Sequence, residues 1–588
     1  MKKRIADIIA DTLVKHGITT VFSVVGGGAM FLNDALGHHE GLEVKYMNHE
    51  QACSMAAEGY VRATGKMAAV CVTSGPGGTN ALTGVLGAFQ DNYPILVISG
   101  QVKYENSIQS TGLNLRFLGE QEHNIVDTVK NLTKYATMVS KPENAVYEIE
   151  KAIYIADTGR RGPCWVDVPL NIQGGYLDDE AVRIFEVNNG ESEWDPNPFL
   201  KEISKAKRPV VLTGSALRSS HCVDEFYELM DEMKIPVLTA TYNADVVNTN
   251  HPYYFGNFGV NGGRAGNFIV QNADLIIGMG CRMAFRQIGF NYQAFAPKAR
   301  KMVVDVDNEE LKKPTLSIDV AINEDIVKVI KTLNGCISGV YKDTCGWLDY
   351  CKKLKERFPV YLEKFGKSDA VNPYYFNKEL RKILDDEAIV VLGNSSIAGQ
   401  ILQMGVETSK QRIINNMNCG SMGYDLPASI GAAVGSGKEI TLITGDGSIQ
   451  MNLQELQTII QYNLPVKIFV CNNGGYRAIV RTQKNFFNGR YTGCSPETGV
   501  GLPNFEKIAM AYGFPYIKIK NHAELPEKIK DFYQIEGYAL CEIMQDYDQA
   551  IEPRIMSKQA EDGSIISPPL DDLYPFLDEE IYEECQFR

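Results

Sequence analysis

The tightest constraint in this sequence is a pair of apolar runs that each end in polar residues. Ile440-Thr441-Leu442-Ile443-Thr444 leads into Gly445-Asp446-Gly447-Ser448, and Val466-Lys467-Ile468-Phe469-Val470-Cys471 leads into Asn472-Asn473. Short apolar runs bounded by turn residues read as buried strands. Residues 451–462, between them, are expected to form the crossover helix. Two parallel strands joined in this way deliver both polar ends to one carboxyl edge, where α/β sheets bind ligands. The residue types suit a hard cation holding a diphosphate. Mg²⁺ takes oxygen ligands and keeps phosphates and waters in its shell. Asp446 offers a carboxylate, Asn473 an amide oxygen and Gly475 a carbonyl. Gly445 and Gly447 let the backbone approach the phosphates, and the next helix start favours their charge. A Gly-Asp-Gly triplet alone is a common strand-end turn; the ordered combination carries the reading.

The strand–turn–helix pattern recurs. Around residues 1–185, a helix at 5–16 precedes strands at 21–25, 68–72 and 95–98. Around 200–340, strands are expected at 209–214, 273–278 and 301–307, and around 370–550 at 388–393, 440–445 and 466–471. The fold class is therefore α/β, with three Rossmann-like parallel-sheet domains of one general plan. The polar stretch 188–198 reads as a linker, and 551–588, rich in acidic residues and proline, as a C-terminal tail or lid.

A formal net charge of −14 argues against a nucleic-acid partner. The 13 cysteines include no CxxC pair, so neither a disulfide framework nor a zinc site is expected. No apolar run approaches the ~20 residues of a membrane span. A cytoplasmic protein with small-molecule partners is expected.

The run from Gly445 to Asn473 resembles the thiamine diphosphate (ThDP) motif of the acetolactate synthase-like family. The likeness extends over nearly the whole chain. Asn48-His49-Glu50-Gln51, Ala56-Ala57-Glu58-Gly59-Tyr60, Thr73-Ser74-Gly75-Pro76-Gly77-Gly78-Thr79-Asn80 and Ser99-Gly100-Gln101-Val102 resemble the family's pyrimidine-binding region. Gly420-Ser421-Met422-Gly423 is similar to its sequence beneath the cofactor. The resemblance implies pyrimidine-binding, central and diphosphate-binding domains in that order. It also implies ThDP and Mg²⁺ as cofactors, and a homodimer or homotetramer with active sites between subunits.

The same resemblance makes Glu50 the carboxylate that hydrogen-bonds the aminopyrimidine and shifts its protons. It puts Met422 beneath the cofactor and makes Pro76, Asn80, Gly420, Asn394, Ser395, Ser396 and Ser448 cofactor contacts. Gly28 supplies another close-approach loop, and Gln101 and Gln121 match family glutamines near the substrate. In the middle segment Gly214, Gly259, Gly280, Arg282, Asp305 and Asp319 fall where acetolactate synthases hold FAD. There the chain departs from the family, reading Arg282-Met283-Ala284-Phe285-Arg286 in place of an acidic pair after the arginine. A central domain without its nucleotide is the competing reading.

The family decarboxylates a 2-oxo acid and passes the remaining two-carbon unit to a carbonyl acceptor, a proton or an oxidant. Acetolactate synthases carry a tryptophan before a glutamine in the acceptor pocket; here Arg481-Thr482-Gln483 puts Thr482 in that place, with Ile479 as a hydrophobic wedge. A wider, more polar pocket is expected. Residues 485–490, 501–505 and 574–577 look more like ThDP enzymes of polysaccharide-sugar pathways, including the flavoenzyme carboligase of yersiniose type. The expected function is decarboxylation of pyruvate and carboligation to a ketone, with a nucleotide-linked keto sugar as the specific acceptor. The alternatives are acetolactate synthase, pyruvate oxidase or decarboxylase, and an inactive scaffold or regulatory relative.

Overall fold

The computed structural model describes residues 2–178, 181–187, 193–559 and 561–588; residues 188–192 of the expected linker lie outside them. Eighteen strands form three six-stranded parallel sheets. The first holds β1 (Thr20–Ser23), β2 (Glu43–Tyr46), β3 (Ala68–Val72), β4 (Ile95–Gln101), β5 (Tyr135–Met138) and β6 (Cys164–Pro169), in the order 2-1-3-4-6-5. The second holds β7 (Pro209–Thr213), β8 (Val237–Ala240), β9 (Tyr254–Phe258), β10 (Leu275–Met279), β11 (Arg300–Val304) and β12 (Val320–Ile322), in the order 9-8-7-10-11-12. The third holds β13 (Ile389–Leu392), β14 (Arg412–Ile414), β15 (Ile440–Gly445), β16 (Val466–Asn472), β17 (Tyr516–Ile519) and β18 (Ala539–Met544), in the order 14-13-15-16-18-17.

The first and third sheets thus share one winding. The middle sheet has another, the dinucleotide-fold order that reverses beside its first strand. Central strands such as β3 and β15 are buried along their whole length, which is why they read as unbroken apolar runs.

The first and third domains are joined by two helices, Glu50–Thr64 and Asp425–Ser436, that touch backbone to backbone. A Cβ built on Gly59 would lie 2.2 Å from the Ala428 carbonyl oxygen, and one on Gly431 only 1.8 Å from that of Ala56. Small residues on both faces permit this approach. Beside it a buried polar cluster crosses the same interface. Arg62 Nε donates to Glu58 at 2.8 Å, a second guanidinium nitrogen reaches Asp91, and Asn418 of the third domain also reaches Asp91. Burial pushes the Glu58 carboxyl up to about 7.

One sequence expectation is corrected. The crossover at 451–462 is not one helix: a 3₁₀ segment, Ile449–Glu455, meets a short α-helix, Leu456–Gln461. Within the first of these, Asn452 has φ −136°, its side chain held by the Gly423 carbonyl at 2.8 Å and Gln51 at 3.1 Å. The C-terminal segment packs against the central domain. Asn267 donates to the Leu570 carbonyl at 2.8 Å, Tyr350 to that of Cys585 at 2.7 Å, and Phe587 packs edge-on to Trp347. No helix among the described residues is long and apolar enough to cross a membrane.

Candidate active site

β15 and β16 are paired so that Gly445 lies beside Cys471, which sets Asp446 next to Asn472-Asn473 at the carboxyl edge. Asp446 is buried, and its Oδ2 accepts the backbone N–H groups of Asn473 and Gly475, each at 3.0 Å. Burial nevertheless holds its carboxyl above the usual range. The Asn473 amide donates to Ser396 Oγ at 3.1 Å, while its oxygen is buried with no partner among the described residues. Leaving such an oxygen unpaired costs about 1–3 kcal/mol, so the site is built for something that supplies positive charge. A carboxylate beside an orphan amide oxygen is a hard-oxygen donor pair that fits Mg²⁺. Gly475 has φ +123°, and a Cβ there would meet the Cys494 carbonyl oxygen at 2.5 Å. Its own carbonyl accepts Arg477 N at 3.0 Å, leaving one lone pair.

Across the edge, β13 runs into Gly393-Asn394-Ser395-Ser396 and the helix Ser396–Met404. Ser395 Oγ is buried and unpartnered at this helix start, an arrangement suited to phosphate oxygens. Asn394 is engaged elsewhere, donating to Asn416 at 2.7 Å and to the Ser421 carbonyl at 2.6 Å, which braces the loop carrying Gly420 and Met422. A Cβ on Gly447 would sit 3.4 Å from Met422 Cε and 2.3 Å from the Tyr476 ring. Gly447 therefore makes room for Tyr476, a residue the sequence reading missed; the signal was the glycine itself. Gly445 gives way in the same manner to Ser395, 3.0 Å from a would-be Cβ. Ser448 faces inward: its hydroxyl accepts Gly423 N at 3.0 Å and donates to Asp425 at 3.2 Å.

The first domain gathers a second group. Glu50 opens the helix Glu50–Thr64, which His49 caps, and its Oε2 accepts the Asn80 amide at 3.0 Å. Pro76 starts the short helix that ends at Asn80. Gly28 N donates to Thr73 Oγ1 at 3.0 Å, and a Cβ on Gly28 would strike Ser74 Oγ at 2.5 Å. The Gly26–Gly28 loop, the Thr73–Asn80 loop and Glu50 thus share one end of the sheet. Gln101 is enclosed, with its amide donating to the His123 carbonyl (2.9 Å) and Asp167 (3.1 Å) and accepting Val102 N (3.0 Å). Gln121 is exposed, with φ +58°. Thr482 and Ile479 lie exposed on the helix Arg477–Phe486 of the third domain, and the Thr482 hydroxyl donates to the Ala478 carbonyl at 3.1 Å. Apolar side chains stand uncovered around both groups, among them Val25, Met30, Phe117, Met451, Ile479 and Phe487.

The middle sheet carries a cleft of about 1110 Å³ between the ends of β7 and β10, the switch point of its winding. Gly214, Gly280, Arg282 and Asp305 line it, and Gly259 precedes the lining residue Val260. Close backbone contact explains the glycines: a Cβ on Gly214 would lie 2.4 Å from the Gly280 carbonyl oxygen. Asp319 is not brought there. It precedes β12 at the opposite edge, accepting Lys301 N at 2.8 Å and facing Arg300 at 3.6 Å. Arg160, from the first domain, lines the cleft instead and pairs with Asp307 and Glu310 at 2.8 Å each. Nothing in sequence spacing announced that inter-domain contribution.

Residues 3–122 match the profile of the thiamine pyrophosphate enzyme N-terminal TPP binding domain, 197–333 that of the central domain, and 392–543 that of the C-terminal TPP binding domain. The chain is similar to the acetolactate synthase large subunit of Cyanidium caldarium, 31% identical over 570 residues that cover 93% of this chain and 94% of the relative. It is 30% identical over 546 residues to that of Buchnera aphidicola subsp. Schizaphis graminum (89% and 91% covered). It is 28% identical over 582 residues to that of Haemophilus influenzae (96% and 98% covered).

Proposed function

From the premise that this chain belongs to the acetolactate synthase-like family of thiamine diphosphate enzymes, we propose that it decarboxylates pyruvate and condenses the two-carbon unit with a second pyruvate. The observation that carries the cofactor reading is the buried, unpartnered Asn473 oxygen beside Asp446. Asp446, Asn473 and the remaining lone pair of Gly475 would hold Mg²⁺. Ser395, Ser396 and the helix start behind them would take the diphosphate. When bound, ThDP supplies the electron sink that makes loss of CO₂ from a 2-oxo acid feasible.

The chain's own part is proton handling and placement. Glu50, steadied by Asn80 on one oxygen, keeps its other oxygen to hold and return a proton at the aminopyrimidine ring. Met422 and Tyr476, packed on the Gly447 turn, would shape the floor under the cofactor and keep water from it. FAD is the proposed occupant of the central cleft, whose glycine-lined switch point suits a dinucleotide. The uncovered apolar residues around Glu50 and around Met451 and Ile479 support a second subunit closing the site.

A second reading keeps the same donor and gives it a nucleotide-linked keto sugar as acceptor. The small, exposed Thr482 favours it, because no ring narrows the pocket there. Pyruvate alone separates the two. Acetolactate as the main product supports condensation with pyruvate; little turnover on pyruvate alone, restored by adding a nucleotide-linked keto sugar, rejects it in favour of the second reading. An absorbance spectrum of the purified protein tests the flavin, whose visible band should accompany the protein.

A further inference from the structure

A second cavity, of about 460 Å³, lies where all three domains meet. Arg62 and Arg161 reach it from the first domain, Arg218 and His221 from the second, and Arg412 from the third. These cations are unequally compensated. Arg62 is spent on Glu58 and Asp91 and covered by the Tyr93 ring at 4.0 Å. Arg161 pairs with Asp157 at 3.1 Å, a carboxylate more than half exposed. Arg218 and Arg412 share one buried carboxylate, Asp245, at 3.9 and 3.1 Å. Arg218 is otherwise held by the carbonyls of Asp245 and Ser409, and its Nε–H is buried with no acceptor among the described residues.

A guanidinium N–H shut away from water without a partner is costly, and guanidinium forks match tetrahedral oxyanions closely. Two guanidiniums on one carboxylate leave a positive charge facing the cavity. His221 closes one side by packing on Gly65, where a Cβ would overlap its ring at 2.0 Å.

We propose that this junction is an anion site for a phosphate group, apart from the ThDP half-sites and adjoining the central cleft. Its occupant bridges Arg161, Arg218 and Arg412 and so ties the three domains together. The cavity shares Arg161 and Ser219 with the wall of the central cleft, so its occupancy acts on the orientation of that wall.

The test is calorimetric titration of inorganic phosphate, and separately of glycerol 3-phosphate, into protein loaded with ThDP, Mg²⁺ and FAD at constant ionic strength. Saturable binding near one per chain is expected, without release of either cofactor. Arg161→Gln should weaken phosphate binding about tenfold or more. Arg218→Gln should abolish it; because that variant risks misfolding, the partly exposed Arg161 carries the decision. Saturation by phosphate identifies a free anion as ligand, and saturation by the ester alone identifies a phosphate monoester. Saturation by neither, binding unchanged in Arg161→Gln, or displacement of a cofactor would each overturn the site.

Discussion

Asp446 accepts the backbone N–H of Asn473 at 3.0 Å, and the Asn473 side chain, held by Ser396, is left with a buried oxygen that none of the described residues satisfies. The pair is the most specific chemical feature of the third domain.

Asn473→Ala should remove the orphan oxygen and, with it, the metal's hold on the diphosphate. ThDP affinity in the presence of Mg²⁺ is expected to fall about 10–100-fold, the range for loss of a metal-supporting group. Chelation of the metal should weaken the parent protein to a similar degree and the variant hardly further. Equal chelator sensitivity in both would sever Asn473 from the metal.

Gly431→Ala places a methyl group 1.8 Å from the Ala56 carbonyl oxygen, on backbone that cannot retreat. A loss of about 1–3 kcal/mol is expected in denaturant unfolding. Gly501→Ala, where a Cβ meets nothing within 4 Å, is the control and should be close to neutral.

Much of this was legible in the sequence, and the limits are instructive. The end of β15 at Gly445 and the place of Asn473 could be read because strand ends are marked by abrupt loss of apolar character. Asn452 breaks the expected crossover helix through side-chain bonds to Gly423 and Gln51, distant in sequence. Ser448 and Asp319 have the residue types of ligand contacts, but which way a turn faces is decided by tertiary neighbours such as Asp425 and Lys301. Arg160 and Tyr476 came to light only when the domains and loops were in place.

Burial pushes the Asp167 carboxyl up to about 7, against hydrogen bonds from Ser99 and Gln101 that favour the charged form. The folded state then binds a proton more readily than the unfolded one. Asp167 therefore contributes stability below its unfolded pKa of about 4, which is lost as pH rises toward 7. Asp167→Asn should flatten the unfolding free energy across that window. A slope unchanged by the substitution would assign the pH dependence elsewhere, Glu58 being the next candidate.

Phe587 packs on Trp347 and Tyr350, with ring centroids 5.5 and 5.1 Å away. If 551–588 is an arm that completes the central domain, Phe587→Ala costs about 1–3 kcal/mol of stability and leaves turnover per folded enzyme unchanged. Unchanged stability with altered turnover would instead describe a lid.

The central claim is that Glu50 serves the cofactor in breaking down a 2-oxo acid, and CO₂ release from pyruvate tests it most directly. The protein loaded with ThDP and Mg²⁺ should release one CO₂ for every two pyruvates consumed, with acetolactate accumulating in step. Glu50→Gln, which keeps a partner for Asn80 and removes the titratable oxygen, should lower the rate about 100-fold or more while still binding ThDP. Undiminished CO₂ release by Glu50→Gln, or none from the parent protein, would contradict the account.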